Sequence, residues 1–263
     1  MSLEMLNTTQ VVATSRSPTL VQLEKTTPTS GWHTLFRLAG IAALMIVALI
    51  PVQALVYILW PPPTNVLDYF SVFQRNAVLG LLDLDLLLIV DQLLIVVVML
   101  GLYIALRHAD PSLMLVGIAA GLVGAVLMIV SREATFSMYS LSQQYAAATS
   151  AAERAALEAA GQTLLTVYNG TSFSVGYFLT GLATLLVSTV MLRSSLFSRL
   201  TGVAGIAAGV TGLVPASMGA LGFVLSFLSL IPLIVWLFLV ARRFLQLQLP
   251  VPLSSSAQSA RKL

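Results

Sequence analysis

The chain has 263 residues, 58% of them hydrophobic and only 9% charged, with a mean hydropathy of +0.95. In a soluble domain about a quarter of residues are charged, so this balance excludes one and predicts an all-α polytopic membrane bundle. The net charge of +3 gives no nucleic-acid partner, because the bases fall where membrane anchors belong. With no Cys and only His33 and His108, disulfides, thiolate chemistry and a multi-histidine metal centre are excluded, and no cofactor or metal is expected.

Residues 1–34 are rich in Ser and Thr and have neither a sustained apolar core nor a small-residue cleavage pattern. They read as a disordered cytoplasmic tail rather than a signal peptide. A transmembrane domain over 35–248 follows, and 249–263 reads as a second cytoplasmic tail.

A spanning helix needs about 20 apolar residues. Six segments qualify: about Leu38 to Trp60, Leu86 to Leu106, Ser112 to Ser131, Ser172 to Leu192, Leu200 to Met218 and Leu221 to Ala241. Pro51, Pro215 and Pro232 are candidate kinks, tolerated where neighbours satisfy the freed carbonyls. With both termini cytoplasmic, Arg16, Lys25, Arg37, Arg107, Arg193, Arg199, Arg242, Arg243, Arg261 and Lys262 lie inside. Only Arg75, Arg132 and Arg154 then lie outside, as the positive-inside rule asks. The acidic residues sort the other way and make the outer face acidic.

Two outer connections carry helical patterns. After Pro61 to Pro63, residues Val66, Tyr69, Phe70, Phe73 and Ala77 recur at helical spacing and predict an amphipathic interfacial helix. Ser150 and Glu153 have capping-box spacing, and Leu157, Leu164 and Tyr168 follow along one side. That predicts a second outer helix, lying on the bilayer or lidding the bundle. GIAAGLVG at Gly117 and GIAAGVTG at Gly205 are matching small-residue stripes that let helix backbones approach closely, and packing convergence accounts for the echo.

The segment LGLLDLDLLLIVDQLL sets Asp83, Asp85 and Asp91 in a greasy run. Helix from Leu81 to Leu106 would be about 39 Å long against a hydrocarbon core of about 30 Å. Counting back from Arg107 puts the outer boundary near Leu86 or Leu87, with Asp83 and Asp85 at the interface and Asp91 roughly 6 Å inside. The same count brings Arg132 and Glu133 to that depth, and a pair of Arg132 with Asp85 or Asp83 is expected. At about 100° per residue, with Asp83 at zero, Asp91 lies at about 80°, Gln92 at about 180° and Asp85 at about 200°. Either protein surrounds this helix at its outer end, or Gly80 marks an irregular start and regular helix begins only after Asp85. Lipid-facing placement is rejected, since Asp at a helix centre costs about 2.5 to 3.5 kcal/mol.

Asp91 and Gln92 read either as a polar contact site below an outer vestibule or as a helix lock, with Ser172, Ser174 or Tyr177 as partners. Asp83, Asp85, Arg132 and Glu133 read as an interfacial ion-pair network or as the rim of that vestibule. No HExxH, GxSxG or phosphate loop is present, so no catalytic residue is assigned and no enzyme is expected. The N-x-T sequons at Asn7 and Asn169 are short patterns that arise by chance.

RNAVLGLLDLDLL, the Ser140 to Thr171 stretch and LSLIPLIVWLFLVARR resemble a family of bacterial six-helix integral membrane proteins, the domain-of-unknown-function 4386 type. The likeness covers about Phe36 to Gln248 and implies a bacterial cell-membrane setting and six helices, with no activity or site to transfer. The expected function is binding or passage of a small cationic or polar solute from an acidic outer vestibule. A non-catalytic accessory or sensor subunit with a membrane-protein partner is the alternative, and an intramembrane enzyme ranks third.

Overall fold

The computed structural model describes residues Ser30–Leu247, and the expected tails fall outside these residues apart from the stretch Ser30 to Thr34. A 3-10 turn over Ser30–Trp32 leads into α1, His33–Leu59. Next come α2 (Val66–Arg75), α3 (Ala77–Asp83), α4 (Leu86–Leu106), α5 (Pro111–Ser131) and α6 (Ala134–Ala147). The chain closes with α7 (Ala151–Tyr168), α8 (Thr171–Arg193), α9 (Arg199–Thr211) and α10 (Gly219–Leu247). Among the described residues every regular element is helical.

Five stretches are long and apolar enough to cross a membrane: His33–Leu59, Leu86–Leu106, Pro111–Ala147, Ala151–Arg193 and Gly219–Leu247. This is a multi-pass membrane protein. The span expected over Leu200 to Met218 is shorter: α9 has 13 residues, about 20 Å. It stops at Gly212, and Pro215, which cannot donate a backbone hydrogen bond, keeps the chain from resuming helix until Gly219, whose φ is +73°. Pro51 and Pro232, in contrast, lie inside α1 and α10.

The six bundle helices close into a ring in which α1 packs on α4, α4 on α5, α5 on α8, α8 on α9, α9 on α10 and α10 back on α1. The two glycine stripes bring α5 and α9 against α8. Gly121 meets Ala183, Gly124 meets Gly176 and Thr180, and Gly209 lies against Gly181 and Leu185. Close backbone approach, not apolar attraction, is what such stripes supply in lipid, where there is no water to expel.

One end of the bundle is an arginine end. Arg193 pairs with Asp110 at 2.9 Å, Arg243 donates to the Leu196 carbonyl at 2.6 Å, and Phe36 stacks on Phe244 with ring centroids 5.6 Å apart. The main apolar core fills this half, from Phe36 to Ile50 on α1 and from Trp236 to Phe244 on α10.

A cap of α2, α3, α6 and α7 closes the other end around its own core of Val66, Tyr69, Phe70, Phe73, Leu84 and Met138. The face predicted for α2 is the buried one. Ser150 accepts from the Glu153 amide at 3.1 Å, as the capping-box spacing predicts for α7. The apolar face of α2 packs against α6 and α7, which lie over it. The α6 helix had no sequence signal: its inner positions include Ala134, Thr135, Met138 and Ser142, too mixed in polarity for an apolar stripe.

A Cβ at position 209 would stand 2.7 Å from the Leu185 amide nitrogen, backbone that cannot swing away. Gly209→Ala is therefore expected to lower stability by about 1 to 3 kcal/mol in detergent thermal unfolding. At Gly31, where an added Cβ meets nothing within 4 Å, the same change is expected to stay within about 0.5 kcal/mol.

Candidate functional site

The helix through the Asp-rich segment is broken, one of the two arrangements that the phase of its carboxylates allows. α3 ends at Asp83, and Asp85 adopts the left-handed conformation at φ 58°, ψ 39° before α4 begins at Leu86. The break falls at Leu84 and Asp85 rather than at Gly80. A left-handed non-glycine residue costs about 1 to 2 kcal/mol, so its surroundings must hold it. Thr135 on α6 donates its hydroxyl to the Leu84 carbonyl at 2.5 Å, satisfying one group freed by the break.

The break turns both carboxylates inward, leaving Asp83 4% and Asp85 6% exposed. They are not at a water interface, as length counting placed them; the cap covers them. Asp85 accepts from the Tyr57 hydroxyl of α1 and from the Tyr168 hydroxyl of α7 at 2.5 Å, and Gln53 reaches it at 3.5 Å. Its counter-charge is Arg132, with Nη2 3.5 Å away, so of the two partners the depth argument offers Arg132 the structure selects Asp85. The guanidinium lies 4.0 Å from the Tyr168 ring centre and 4.6 Å from that of Phe173. It also donates to the Tyr168 carbonyl at 3.3 Å. One ion pair thus ties α1, the α3–α4 break, the end of α5 and the α7–α8 junction together.

The other expected members of the network separate. Glu133 follows Arg132 in the chain but is exposed, and among the described residues it forms no salt bridge. Asp83 has an Oδ1 atom that is buried without a hydrogen-bond partner, and burial pushes its carboxyl up to about 6. Burial, reinforced by the Asp83 and Asp85 carboxylates, also raises the Tyr69 phenol well above its ordinary value, so it stays neutral.

Between the cap core and the bundle core lies a cavity of about 960 Å3. Its polar wall holds Asp83, Asp85, Asp91, Gln92 and Arg132, and its apolar walls include Ile46, Ile50, Leu230 and Leu233. Asp91 faces this cavity and not a dry helix contact, and both its Oδ1 and the Gln92 Oε1 are buried without partners. Tyr177 does not lock Asp91: its hydroxyl donates to Ser226 at 3.0 Å, while Ser174 pairs with Ser217. Short α9 explains the space, since Ala208, Gly212 and Ala216 at and beyond its end line the cavity where a full-length helix would stand. Among the described residues no group of three His, Asp or Glu side chains is arranged to hold a metal ion.

Sequence reasoning missed Gln53 and Tyr57. Their i, i+4 spacing near the outer end of an otherwise apolar span was the available signal. Tyr168 was assigned to a greasy helix face, and its hydroxyl was left unused.

The family model described as "Domain of unknown function (DUF4386)" matches residues 37–241 of the chain. No curated protein and no solved structure gives a significant match.

Tyr168→Phe removes a hydrogen bond to a buried carboxylate while keeping the ring beside Arg132, and is expected to cost about 1 to 3 kcal/mol in thermal unfolding. Tyr145→Phe, whose ring packs on Phe70 in the cap core, is the matched control and is expected to change little.

Proposed function

The chain belongs to the DUF4386 family of domains of unknown function, and from that premise we propose that it is a cell-membrane protein whose cavity binds, and passes, a small cationic or polar solute. The observation that carries this reading is the set of partnerless acceptors, Asp83 Oδ1, Asp91 Oδ1 and Gln92 Oε1, beside a cavity large enough for a ligand. Buried polar atoms are almost always satisfied, and leaving them bare costs free energy that an organic cation with N–H or polarised C–H donors would recover. Three carboxylates face one guanidinium in the cavity wall, so the site favours positive charge. We place the arginine end and both termini in the cytoplasm, and the cap outside, by the excess of Lys and Arg at the arginine end. No catalytic role is assigned.

A second reading, a non-catalytic accessory or sensor subunit, is favoured by α7, in which Gly161 is the single fully buried residue and the outer face is free for a membrane-protein partner. A stable partner captured through Ser150 to Asn169, without any cation effect, would favour it over binding.

The test is thermal unfolding of the purified protein with tetramethylammonium. A ligand that binds the folded state alone stabilises it, by about 2.7 kcal/mol at a hundredfold excess over Kd. Wild type is expected to be stabilised, and Asp91→Asn to lose most of the effect; no stabilisation of wild type would sink the proposal. Burial pushes the Asp83 carboxyl up to about 6, which favours its neutral form below that value and the anion above. Cation binding is therefore expected to strengthen as pH rises through that value, and Asp83→Asn to reduce this dependence while leaving weaker binding.

A further inference from the structure

The shape of the cavity says more about its occupant than its charge does. Residues that both line it and stand well exposed mark where it opens. At the cap edge these are Thr64 and Asn169. Further along they are Ile58 on α1, 72% exposed, with Phe223 and Phe227 on α10, 58% and 49% exposed. Ile58 is the second-last residue of a spanning helix, and the two phenylalanines sit in the first third of another. The opening is therefore a slit between α1 and α10 that begins at the cap edge and continues sideways into the level of the bilayer. At the arginine end the same two helices are pressed together, with Gly40 against Leu245 and Ala241, so the slit is confined to the cap half.

We propose that the occupant is an amphiphile with a cationic head, taken from the membrane through this slit: the head sits against Asp83 and Asp91, and the alkyl chain lies between α1 and α10. This rests on the cation-binding reading above and specifies its ligand class. Two independent features carry it. Asp83 is nine-tenths buried, faces the cavity and has an unpartnered oxygen, which fixes where the positive head goes. Away from the carboxylates the surface is mostly apolar, with Ile46, Ile50, Leu230 and Leu233 among its walls and Ile58, Phe223 and Phe227 at the lateral lip, and Ser226 and Ser229 as polar interruptions, which fixes where a chain goes. A compact hydrophilic cation would leave most of that apolar surface uncovered. An alkyl chain covers it and passes out into lipid without crossing a polar rim.

The test uses Trp236, which is fully buried and borders the cavity on α10. Trp32 and Trp60, both exposed, are first replaced by Phe so that Trp236 alone fluoresces. The full chain in nanodiscs is titrated with an alkyltrimethylammonium brominated along its chain, since bromine quenches indole at close range. A brominated anionic phospholipid in the same discs is the control.

Saturable quenching by the brominated ammonium, with none from the phospholipid, is expected. The midpoint should move at least tenfold in Asp83→Asn and in Asp91→Asn. Absence of quenching, quenching indifferent to both substitutions, or equal quenching by the anionic phospholipid would each overturn the proposal. Tetramethylammonium distinguishes the two levels. If it stabilises wild type but the brominated chain never reaches Trp236, cation binding stands and the amphiphile falls. If neither acts, the cation site itself is wrong.

Discussion

A buried ion pair, Arg132 with Asp85, is the constraint on which the two halves of this protein depend. In the interior a lone carboxylate or guanidinium is far more costly than a matched pair, so neither partner can move alone. Asp85 also accepts from Tyr57 and Tyr168, and Arg132 donates to the Tyr168 carbonyl, so groups from both the bundle and the cap meet at the pair, with only Arg132 Nε buried and unpartnered on the guanidinium. The left-handed residue at Asp85 follows from this: the backbone accepts an unfavourable conformation because the carboxylate is fixed at the centre of the cluster. Breaking the helix there also keeps Asp83 and Asp85 away from lipid, where a continuous helix would have exposed at least one of them.

The bundle contributes the complementary feature, a space. Glycine stripes draw α5 and α9 close against α8, but α9 ends at Gly212 and nothing replaces its missing outer turns. The apolar core is therefore complete only at the arginine end. Toward the cap the helices bound an opening whose one wall is the Asp-rich segment. Asp83 and Asp91 stay without counter-charges because Arg132 is committed to Asp85.

Much of this was legible in the sequence, and the part that was not has physical reasons. Apolar length located the spans, and the greasy spacing from Val66 to Phe73 named the buried face of α2. Depth counting paired Arg132 with Asp85 or Asp83, of which the structure selects Asp85, and helical phase demanded either enclosure or a break, both of which occur. Depth counting failed on exposure, since it measures position along the membrane normal and cannot register a cap folded over the interface. The α6 helix escaped because Ala134, Thr135 and Ser142 on its inner face interrupt any hydrophobic period around Met138. The end of α9 was overrun because hydropathy continues through Leu213 and Val214, although Pro215 and the flanking Gly212 and Gly219 stop the helix. Tyr57 and Gln53 were hidden by the opposite effect, two polar side chains inside an apolar average.

The central claim is that Arg132 and Asp85 act as one unit joining cap to bundle, and a double-mutant cycle tests it most directly. Unfolding free energies would be measured in one detergent for wild type, Arg132→Met, Asp85→Asn and the double variant. The account predicts that each single substitution destabilises by several kcal/mol and that the double variant loses less than their sum by about 1 to 3 kcal/mol. Additivity within about 0.5 kcal/mol would contradict it, and would mean that cap and bundle are held together by their apolar contacts alone.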